Sequence, residues 1–426
     1  MLKKLGSSFK SFWTYLRGSR LLTFGLAFSL VYYLAIVILF LFYLTQGILD
    51  ETIFTIDFQV FYESGIMFRN SPGDIYVVAP NSLPFRYLPS FAAIMAIFSF
   101  VPLIPLYIFN ISFMMVINFG IVFLVFSTSQ QLGATTSTKN FEKTLTILFI
   151  TPPHIINIVL GQITHLAIFL VLVALYLLQD NELQSVRRFI LIGTLISIAA
   201  ILKPFFIVLY SFLIPISFTD RFSLNIPLRP FIGVTLGFLI TMLPNLLYFT
   251  VYPRAFNEFM HVNFSGGLPY QHSTSITQLI IDVLDLGDNN VIVLTIMLII
   301  GAFIFLRSYI RFVRTPSSEK NHLHHFTDMI FLFLLVYTDS WFLFLAVLYA
   351  FLAPSMLQLY SKCEAIGNET RYLDLLWSGS NNILAFFSVG IILDFLVLGV
   401  DLINPIWIAI LYLLYQREFC KNPGNS

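Results

Sequence analysis

The run LLTFGLAFSLVYYLAIVILFLFYLT occupies residues 21–45 and contains no charged side chain. It is longer than the roughly 20 apolar residues that a helix needs to cross a bilayer. Comparable runs recur as far as Tyr415, in a chain of 426 residues that is 58% hydrophobic and only 11% charged. A membrane β-barrel would show segments of alternating hydrophobicity, and the sequence lacks that pattern. The sequence therefore predicts an all-α polytopic membrane protein.

The basic residues predict the orientation of the chain. Five of them precede the first apolar run: Lys3, Lys4, Lys10, Arg17 and Arg20. Because Lys and Arg accumulate on the cytoplasmic side of membranes, they place the N-terminus inside, and Arg417 and Lys421 place the C-terminus there too. We expect a cytoplasmic segment at 1–20, a single transmembrane domain at 21–416 and a cytoplasmic tail at 417–426.

About thirteen apolar segments are expected on this basis. They are 21–45, 87–101, 104–127, 143–160, 163–179, 189–203, 205–218, 231–251, 291–306, 326–339, 341–360, 381–401 and 405–416. The first outer loop (46–86) and the turn at Gly161-Gln162 both fall on the outer side, although three segments lie between them. One of the three must be re-entrant or half-spanning, and 143–160 is the expected one because two prolines follow Thr151.

The loop between the first two apolar runs is both long and polar. Its acidic residues are Asp50, Glu51, Asp57, Glu63 and Asp74. Loops of this length are usually functional or disordered, and the interleaved Ile, Phe, Val and Tyr argue against disorder. The sequence therefore predicts a folded cap at the membrane surface that carries a carboxylate.

Polar residues interrupt the apolar pattern at four other places. They are the turn Gly161-Gln162 with Thr164-His165, the pair Lys203-Pro204, the stretch Thr338-Asp339-Ser340-Trp341, and a second large outer loop at 252–290 that contains His272. All four are predicted to lie on the same side as Asp57. Polar groups at membrane depth are costly and commonly functional. Their convergence on one face indicates a site.

Each of these places also has a purely structural interpretation. Asp57 could be a solvated loop acid, and Lys203 could extend its ammonium to the lipid headgroups. Gln162 could hydrogen-bond a neighbouring helix. The stretch Asp339-Ser340-Trp341 could cap a helix, with the Trp at the membrane interface. The shared position of all four favours a site over four independent explanations.

No bound metal is expected. His322, His324 and His325 resemble a metal-binding tract, but the predicted topology puts them on the side opposite Asp57. Such tracts are often only compositional. The outer segments contain no His, Asp and Glu cluster with the spacing of metal ligands. The chain also has no soluble region large enough to bind nucleic acid.

A series of motifs in order resembles a known family. The motifs are Asp57-Phe58-x-Val60-Phe61-Tyr62, Asp74-Ile75-Tyr76, Phe85-x-Tyr87-x-Pro89, Gly161-Gln162, Lys203-Pro204 and Ser340-Trp341. They resemble glycosyltransferase family 87, which contains the polyprenol-phosphate-mannose-dependent α-mannosyltransferases of the GT-C class. The resemblance implies a GT-C-type bundle of about 11–13 transmembrane helices with a folded first extracytoplasmic loop.

The resemblance also implies a function. The expected activity is inverting transfer of a hexose, with mannose the expected sugar, from a polyprenyl- or dolichyl-phosphate donor to a lipid-linked or cell-surface glycan on the extracytoplasmic side. Asp57 would be the general base, and Lys203 and Arg86 would bind the donor phosphate. The implied substrate-binding residues are Tyr62, Tyr87, Gln162, His165, His272, Asp339 and Trp341. No cofactor is implied, and the expected partners are the donor, a glycan or glycolipid acceptor and the bilayer.

Some features of the chain differ from the family pattern and leave the acceptor open. Thr164-His165 stands where the family often has an Asn, and His272–Ser275 replaces an Asn-x-Ser motif. A histidine often follows the Ser-Trp pair, where this chain has Phe342–Leu345. Two other classes stay open: a secondary transporter or flippase of lipid-linked sugars, and a non-catalytic membrane scaffold. Transporters commonly have repeated halves and a midplane site, and no repeat is found here.

Overall fold

The structure is a computed structural model that describes residues 2–49, 54–77, 83–136, 139–179, 185–218, 224–264, 273–286, 290–316, 320–338, 340–366, 373–381 and 405–421. Five of the described helical segments are long and apolar enough to cross a membrane: Arg20–Gln46, Leu103–Gln131, Asn140–Leu160 (two helices that meet at Thr151), Leu228–Val251 and Val291–Arg314. Shorter apolar helices span Pro89–Phe98, Thr164–Leu178 and His322–Val336. The prediction of an all-α polytopic membrane protein is confirmed.

The α-helices follow one another with short connections. In chain order they are α1 (Leu2–Gly18), α2 (Arg20–Gln46), α3 (Ile56–Asn70), α4 (Pro89–Phe98), α5 (Leu103–Gln131), α6 (Lys139–Ile150), α7 (Pro152–Leu160), α8 (Thr164–Leu178), α9 (Val186–Leu202), α10 (Leu228–Val251), α11 (Pro253–Phe264), α12 (Ile276–Val283), α13 (Asn290–Arg314), α14 (His322–Val336), α15 (Leu345–Ile366) and α16 (Pro405–Lys421). Residues 373–381 are also helical. Short 3-10 helices span Pro72–Asp74, Pro204–Phe212 and Phe342–Phe344. A two-residue ribbon pairs β1 (Ser217–Phe218) with β2 (Leu224–Asn225) in antiparallel register.

Local signals set both ends of α2. The Ser19 hydroxyl accepts a hydrogen bond from the Leu22 N–H at 3.0 Å, so that Ser19 caps the helix and separates it from α1. Gly47 ends α2 in the left-handed conformation, with φ +69°. The 27 residues between them give a helix of about 40 Å. The two ends of α2 therefore lie on opposite sides of the bundle.

Two predicted apolar segments do not form single α-helices, and both differences arise at proline. The segment 143–160 divides at Thr151 into α6 and α7. The segment 205–218 forms a 3-10 helix, Pro204–Phe212, followed by β1. Nine residues of 3-10 helix cover about 18 Å, which is shorter than the roughly 30 Å core of a bilayer. Hydropathy therefore overestimates the number of spans at this point.

The polar loop after α2 forms a folded cap, as the sequence predicts, across its described residues 54–77 and 83–88. Helix α3 packs against α4, and a Cβ at Gly65 would lie 2.5 Å from the carbonyl carbon of Met95. Phe61 of α3 meets Tyr87 edge to face, with ring centroids 4.9 Å apart. The Tyr76 hydroxyl donates to the carbonyl of Tyr87 at 2.6 Å. The cap is therefore built around Tyr87.

Buried polar groups also join α13, α14 and α16. The Ser308 hydroxyl donates to Asp328 at 2.7 Å and contacts Nδ1 of His325 at 2.9 Å. Arg311 of α13 lies 2.8 Å from Nε2 of His324, and Nδ1 of His324 lies 2.8 Å from the Tyr415 hydroxyl of α16. The histidines of the His322–His325 tract thus bond to neighbouring helices. Among the described residues, no group of three or more His, Cys, Asp or Glu side chains is positioned to hold a metal ion. Of the predicted segment 381–401, all but the first residue lies outside the described residues.

Candidate active site

Lys203 is the centre of a buried polar cluster. Its ammonium donates hydrogen bonds to the Tyr87 hydroxyl and to Oε1 of Gln162, both at 2.9 Å. The Tyr87 hydroxyl donates to the same Gln162 oxygen at 3.2 Å. Lys203 is only 6% exposed. The structure therefore brings together three residues that the sequence places in three separate segments.

Aromatic rings surround the same ammonium. The Lys203 Nζ lies 4.8 Å from the ring centroid of Tyr87 and 4.9 Å from that of Phe344. The negative faces of aromatic rings attract a cation, and the attraction is stronger where water is excluded. A buried ammonium has lost much of its hydration, and the two rings compensate a part of that loss.

The end of α9 fixes the position of Lys203. Pro204 cannot continue the helix and restricts the residue before it to an extended backbone. Lys203 accordingly has φ −148° and ψ 99°. The N–H of Leu88 donates to the carbonyl of Ile201 at 3.4 Å. This contact holds the segment that carries Tyr87 beside the end of α9.

Gln162 follows a glycine that ends α7. Gly161 has φ +76°, a left-handed conformation that glycine adopts without strain. The N–H of Gln162 donates to the carbonyl of Asn157 at 2.8 Å. A Cβ at position 161 would lie 2.5 Å from the Cβ of Phe58. Glycine therefore permits both the turn and the close approach of α3.

We expect Gly161→Ala to destabilise the protein more than Gly47→Ala does. Both glycines have φ near +70°, but a Cβ at Gly47 would meet no heavy atom within 4 Å. The control therefore carries the backbone strain alone, while Gly161→Ala adds a steric clash of about 1–3 kcal/mol. The free energy of unfolding in detergent, measured by SDS titration, checks the difference. Equal losses for the two variants would contradict the close contact between Gly161 and Phe58.

Asp57 lies in the first turn of α3 and is half-buried. The start of α3 is held against the end of α7, because the Thr55 N–H donates to the carbonyl of Val159 at 3.2 Å. Phe58, the next residue, is in contact with Gly161. A carboxylate in the first turn of a helix is stabilised by the positive end of the helix dipole. The structure therefore places the Asp57 turn of α3 beside the turn that carries Gln162.

The other two site residues of the first loop occupy different positions. Arg86 directly precedes Tyr87 and is half-buried. The Tyr62 hydroxyl lies 3.5 Å from the carbonyl of Ser99, beyond the far end of α4 from Tyr87. The ten residues of α4 span about 15 Å. Arg86 thus adjoins a member of the Lys203 cluster along the chain, and the Tyr62 hydroxyl is directed away from the cluster.

His165 is part of a buried chain of polar side chains. Its Nε2 contacts Nδ1 of His154, and Nε2 of His154 lies 3.0 Å from the Tyr33 hydroxyl. His165 Nδ1 is buried and has no hydrogen-bond partner among the described residues. The prolines before His154 predict a helix break, but the sequence pattern does not indicate that His154 and Tyr33 bond to each other. The helix break at these prolines is the feature of the sequence from which a role for His154 could have been predicted.

A clasp of hydroxyl groups joins the second large loop to the Ser340-Trp341 segment. Ser273 and Trp341 form an isolated antiparallel bridge. The Thr274 N–H donates to the carbonyl of Ser340 at 2.7 Å, and the two hydroxyls lie 2.9 Å apart. Phe344, whose ring contacts the Lys203 ammonium, follows three residues after Trp341. Two predicted substrate-binding residues, His272 and Asp339, lie outside the described residues.

The arrangement has the components of a site for an anionic substrate. A buried ammonium is held between a phenol and an amide, and a carboxylate lies on the adjoining helix turn. The ammonium could bind a phosphate, and the carboxylate could accept a proton from a hydroxyl. All of these groups lie toward the end of the bundle at which α2 ends. Phe40 of α2 packs on Tyr107 with ring centroids 4.8 Å apart, and the Tyr107 hydroxyl donates to the carbonyl of Val159 at 2.5 Å, next to the turn that carries Gln162.

Comparison with known protein families identifies the class of protein. The sequence model of Glycosyltransferase family 87 matches residues 85–338, which is more than half of the chain. With the apolar helices, this match defines a membrane glycosyltransferase. The chain belongs to Glycosyltransferase family 87. The matched range contains Arg86, Tyr87, Gln162, His165 and Lys203 and excludes Asp57, Tyr62, Asp339 and Trp341. A search of curated proteins found no match to the chain.

Proposed function

We propose that the protein is an inverting glycosyltransferase that takes a hexose, mannose, from a polyprenyl- or dolichyl-phosphate donor. The acceptor is a lipid-linked or cell-surface glycan on the extracytoplasmic side. The observation that carries this proposal is the buried Lys203 ammonium, hydrogen-bonded to Tyr87 and Gln162. A buried cation in a membrane protein suits a donor whose phosphate is attached to a membrane-embedded chain.

The proposed reaction has one nucleophilic step. The acceptor hydroxyl attacks the anomeric carbon of the donor sugar, and its proton passes to the Asp57 carboxylate. The bond between that carbon and the phosphate oxygen breaks with its electron pair on the oxygen. The donor phosphodiester thereby becomes a phosphomonoester and gains one negative charge. Lys203 and Arg86 stabilise that charge, Lys203 as a compact cation and Arg86 as a planar fork.

The remaining proposed roles concern substrate binding. Tyr87 and Gln162 hold the Lys203 ammonium. Nδ1 of His165 has no hydrogen-bond partner among the residues that the structure describes, and it suits a sugar hydroxyl. Trp341 supplies a flat apolar surface of the kind on which sugars stack. His272 and Asp339 complete the proposed set, and Tyr62 has no role in it because its hydroxyl contacts the carbonyl of Ser99 at the far end of α4. Membership of the family supports this activity over transport of lipid-linked sugars.

The Tyr87→Phe variant should bind the donor about ten times more weakly. The substitution keeps the ring that lies 4.8 Å from the Lys203 ammonium and removes only the hydroxyl that accepts its hydrogen bond. A hydrogen bond to a charged group contributes about 1.5–3 kcal/mol. The hydrogen bond from Lys203 to Gln162 remains in this variant and limits the loss of donor affinity. Donor affinity measured in nanodiscs checks this. Unchanged affinity would show that the hydroxyl does not position Lys203.

Product analysis tests the proposed stereochemistry. Purified protein in nanodiscs is incubated with radiolabelled lipid-phosphate mannose and a series of glycolipid acceptors. We expect a radiolabelled glycan whose new bond has the anomeric configuration opposite to that of the donor, as specific glycosidases or NMR would report. A product that retains the donor configuration would exclude direct attack by the acceptor hydroxyl.

A further inference from the structure

Helix α1 presents a second surface, at the end of α2 opposite the Lys203 cluster. One side of α1 is buried against α5. Phe12 is fully buried, and its ring centroid lies 5.6 Å from that of Phe119 and 5.3 Å from that of Phe126. The Tyr15 hydroxyl donates to the carbonyl of Thr136 at 3.2 Å. These contacts fix α1 to the bundle, so its other side has a defined orientation.

The outward side of α1 combines aromatic and basic residues. Phe9 is 45% exposed and Trp13 is 37% exposed, and their rings stack with centroids 6.4 Å apart. The guanidinium of Arg17 lies 5.0 Å from the centroid of the Trp13 ring. Lys10 and Arg17 are exposed. Exposed aromatic rings beside cations, on a helix that leads directly into a membrane span, are typical of a helix lying in the membrane interface.

The segment of the chain that contains α1 carries charge of one sign. The chain has five basic residues before residue 50 and no acidic one. Arg20, at the start of α2, is exposed beside α1. Basic segments adjoining a transmembrane helix are attracted to anionic lipid headgroups, and this attraction falls off within about 10 Å at moderate salt. Glu142 of α6 accepts a hydrogen bond from Ser19 at the junction of α1 and α2, but the basic residues of this segment outnumber it and keep the local charge positive.

An apolar crevice adjoins α1 between α2 and α5. Its volume is about 210 Å³, and its lining includes Leu30, Met115, Val116 and Phe119. Phe119 also touches Phe12 of α1. Leu30 is 46% exposed and Val116 is 62% exposed, so the crevice opens outward. An acyl chain could enter it from the bilayer while its headgroup stays near α1.

We propose that α1 and the adjoining crevice form a binding site for an anionic phospholipid in the leaflet on the N-terminal side. The headgroup phosphate pairs with Lys10, Arg17 and Arg20, the rings of Phe9 and Trp13 lie among the headgroups, and an acyl chain occupies the crevice. This inference is independent of the sugar-transfer reaction, because none of these residues belongs to the Lys203 cluster.

Quenching of Trp13 fluorescence tests the site in the full-length protein. The protein is placed in nanodiscs that contain either brominated phosphatidylglycerol or brominated phosphatidylcholine at equal mole fraction. The chain has four tryptophans, so the contribution of Trp13 is obtained as the difference in quenching between the unmodified protein and the Trp13→Phe variant. We expect stronger quenching by the anionic lipid, and we expect added salt to reduce the difference.

A charge variant and a matched control isolate the headgroup contacts. Lys10→Gln with Arg20→Gln leaves Arg17 on the Trp13 ring and should weaken anionic-lipid binding about 30-fold, the equivalent of about 1 kcal/mol for each cation. The control Arg254→Gln removes an exposed cation that pairs with Glu258 at 3.6 Å, far from α1 in the chain, and should keep the preference. Equal quenching by the two lipids in the unmodified protein would overturn the proposal. So would quenching by aqueous acrylamide but by neither lipid.

Discussion

Replacing Asp57 with Asn is expected to lower the single-turnover rate of sugar transfer by about 10²–10⁴-fold, the range for loss of a general base. Donor affinity should change little, because a base acts only in the transition state. Asn keeps the size of the side chain at a half-buried position in the first turn of α3, so the fold should be retained. Rapid-quench measurements at saturating donor in nanodiscs give the rate.

A matched control lies on the same helix. Glu63 is an exposed acid of α3 that accepts a hydrogen bond from Gln59 at 2.7 Å, and Glu63→Gln should transfer at the normal rate. The opposite pattern for Asp57→Asn, in which donor binding is lost but transfer at saturation is normal, would assign Asp57 to binding. In that case another group must accept the proton.

Replacing Lys203 with Ala is expected to weaken donor binding by ten- to about a hundredfold and to lower turnover as well. The donor phosphate is charged before transfer and gains charge during it, so a cation stabilises both states. A hydrogen bond to a charged group contributes about 1.5–3 kcal/mol, which corresponds to that range. Lys203→Arg should restore only a part of the loss, because the planar guanidinium does not reproduce the position of a compact ammonium.

Lys143 provides the control for this variant. It is an exposed lysine of α6 whose Nζ lies 5.7 Å from the ring centroid of Trp377. Lys143→Ala removes a cation from an aromatic ring outside the proposed site and should leave donor affinity unchanged. If Lys203→Ala bound the donor normally and lost only stability, the ammonium would be a structural group that ties Tyr87 to Gln162.

The grouping of Tyr87, Gln162 and Lys203 is predictable from the sequence for a physical reason. Each residue ends or interrupts an apolar run, and a chain that crosses a membrane repeatedly must return its breaks to one of two faces. Basic residues then indicate which breaks share a face. Hydrogen bonds among the three do not follow from this argument, since they depend on how far each side chain reaches.

His154 and Tyr33 are not predictable in the same way. Tyr33 lies within an uncharged apolar run, and nothing in its neighbours distinguishes a buried hydroxyl from one that faces lipid. Its bond to His154 joins residues 121 positions apart. The 3-10 helix after Lys203 escapes a hydropathy argument as well, because hydropathy measures polarity and not the spacing of backbone hydrogen bonds.

The clasp between Thr274 and Ser340 is a further contact that the sequence alone does not predict. Serine and threonine hydroxyls satisfy backbone carbonyls at helix ends, as the Ser340 hydroxyl does for Leu334 at 2.8 Å. From sequence, the stretch His272–Ser275 stands out only as a departure from the family pattern. The structure gives Ser273 and Thr274 a local role, since they join the second large loop to the segment that carries Phe344.

The most direct measurement offers the purified protein two donors in turn. Radiolabelled lipid-phosphate mannose and radiolabelled nucleotide-linked mannose are each incubated in nanodiscs with the same acceptor, and the glycan product is counted. The proposed function predicts product from the lipid-phosphate donor, none from the nucleotide donor, and a loss of about 10²-fold or more with Asp57→Asn. Transfer from the nucleotide donor with none from the lipid-phosphate donor would contradict it.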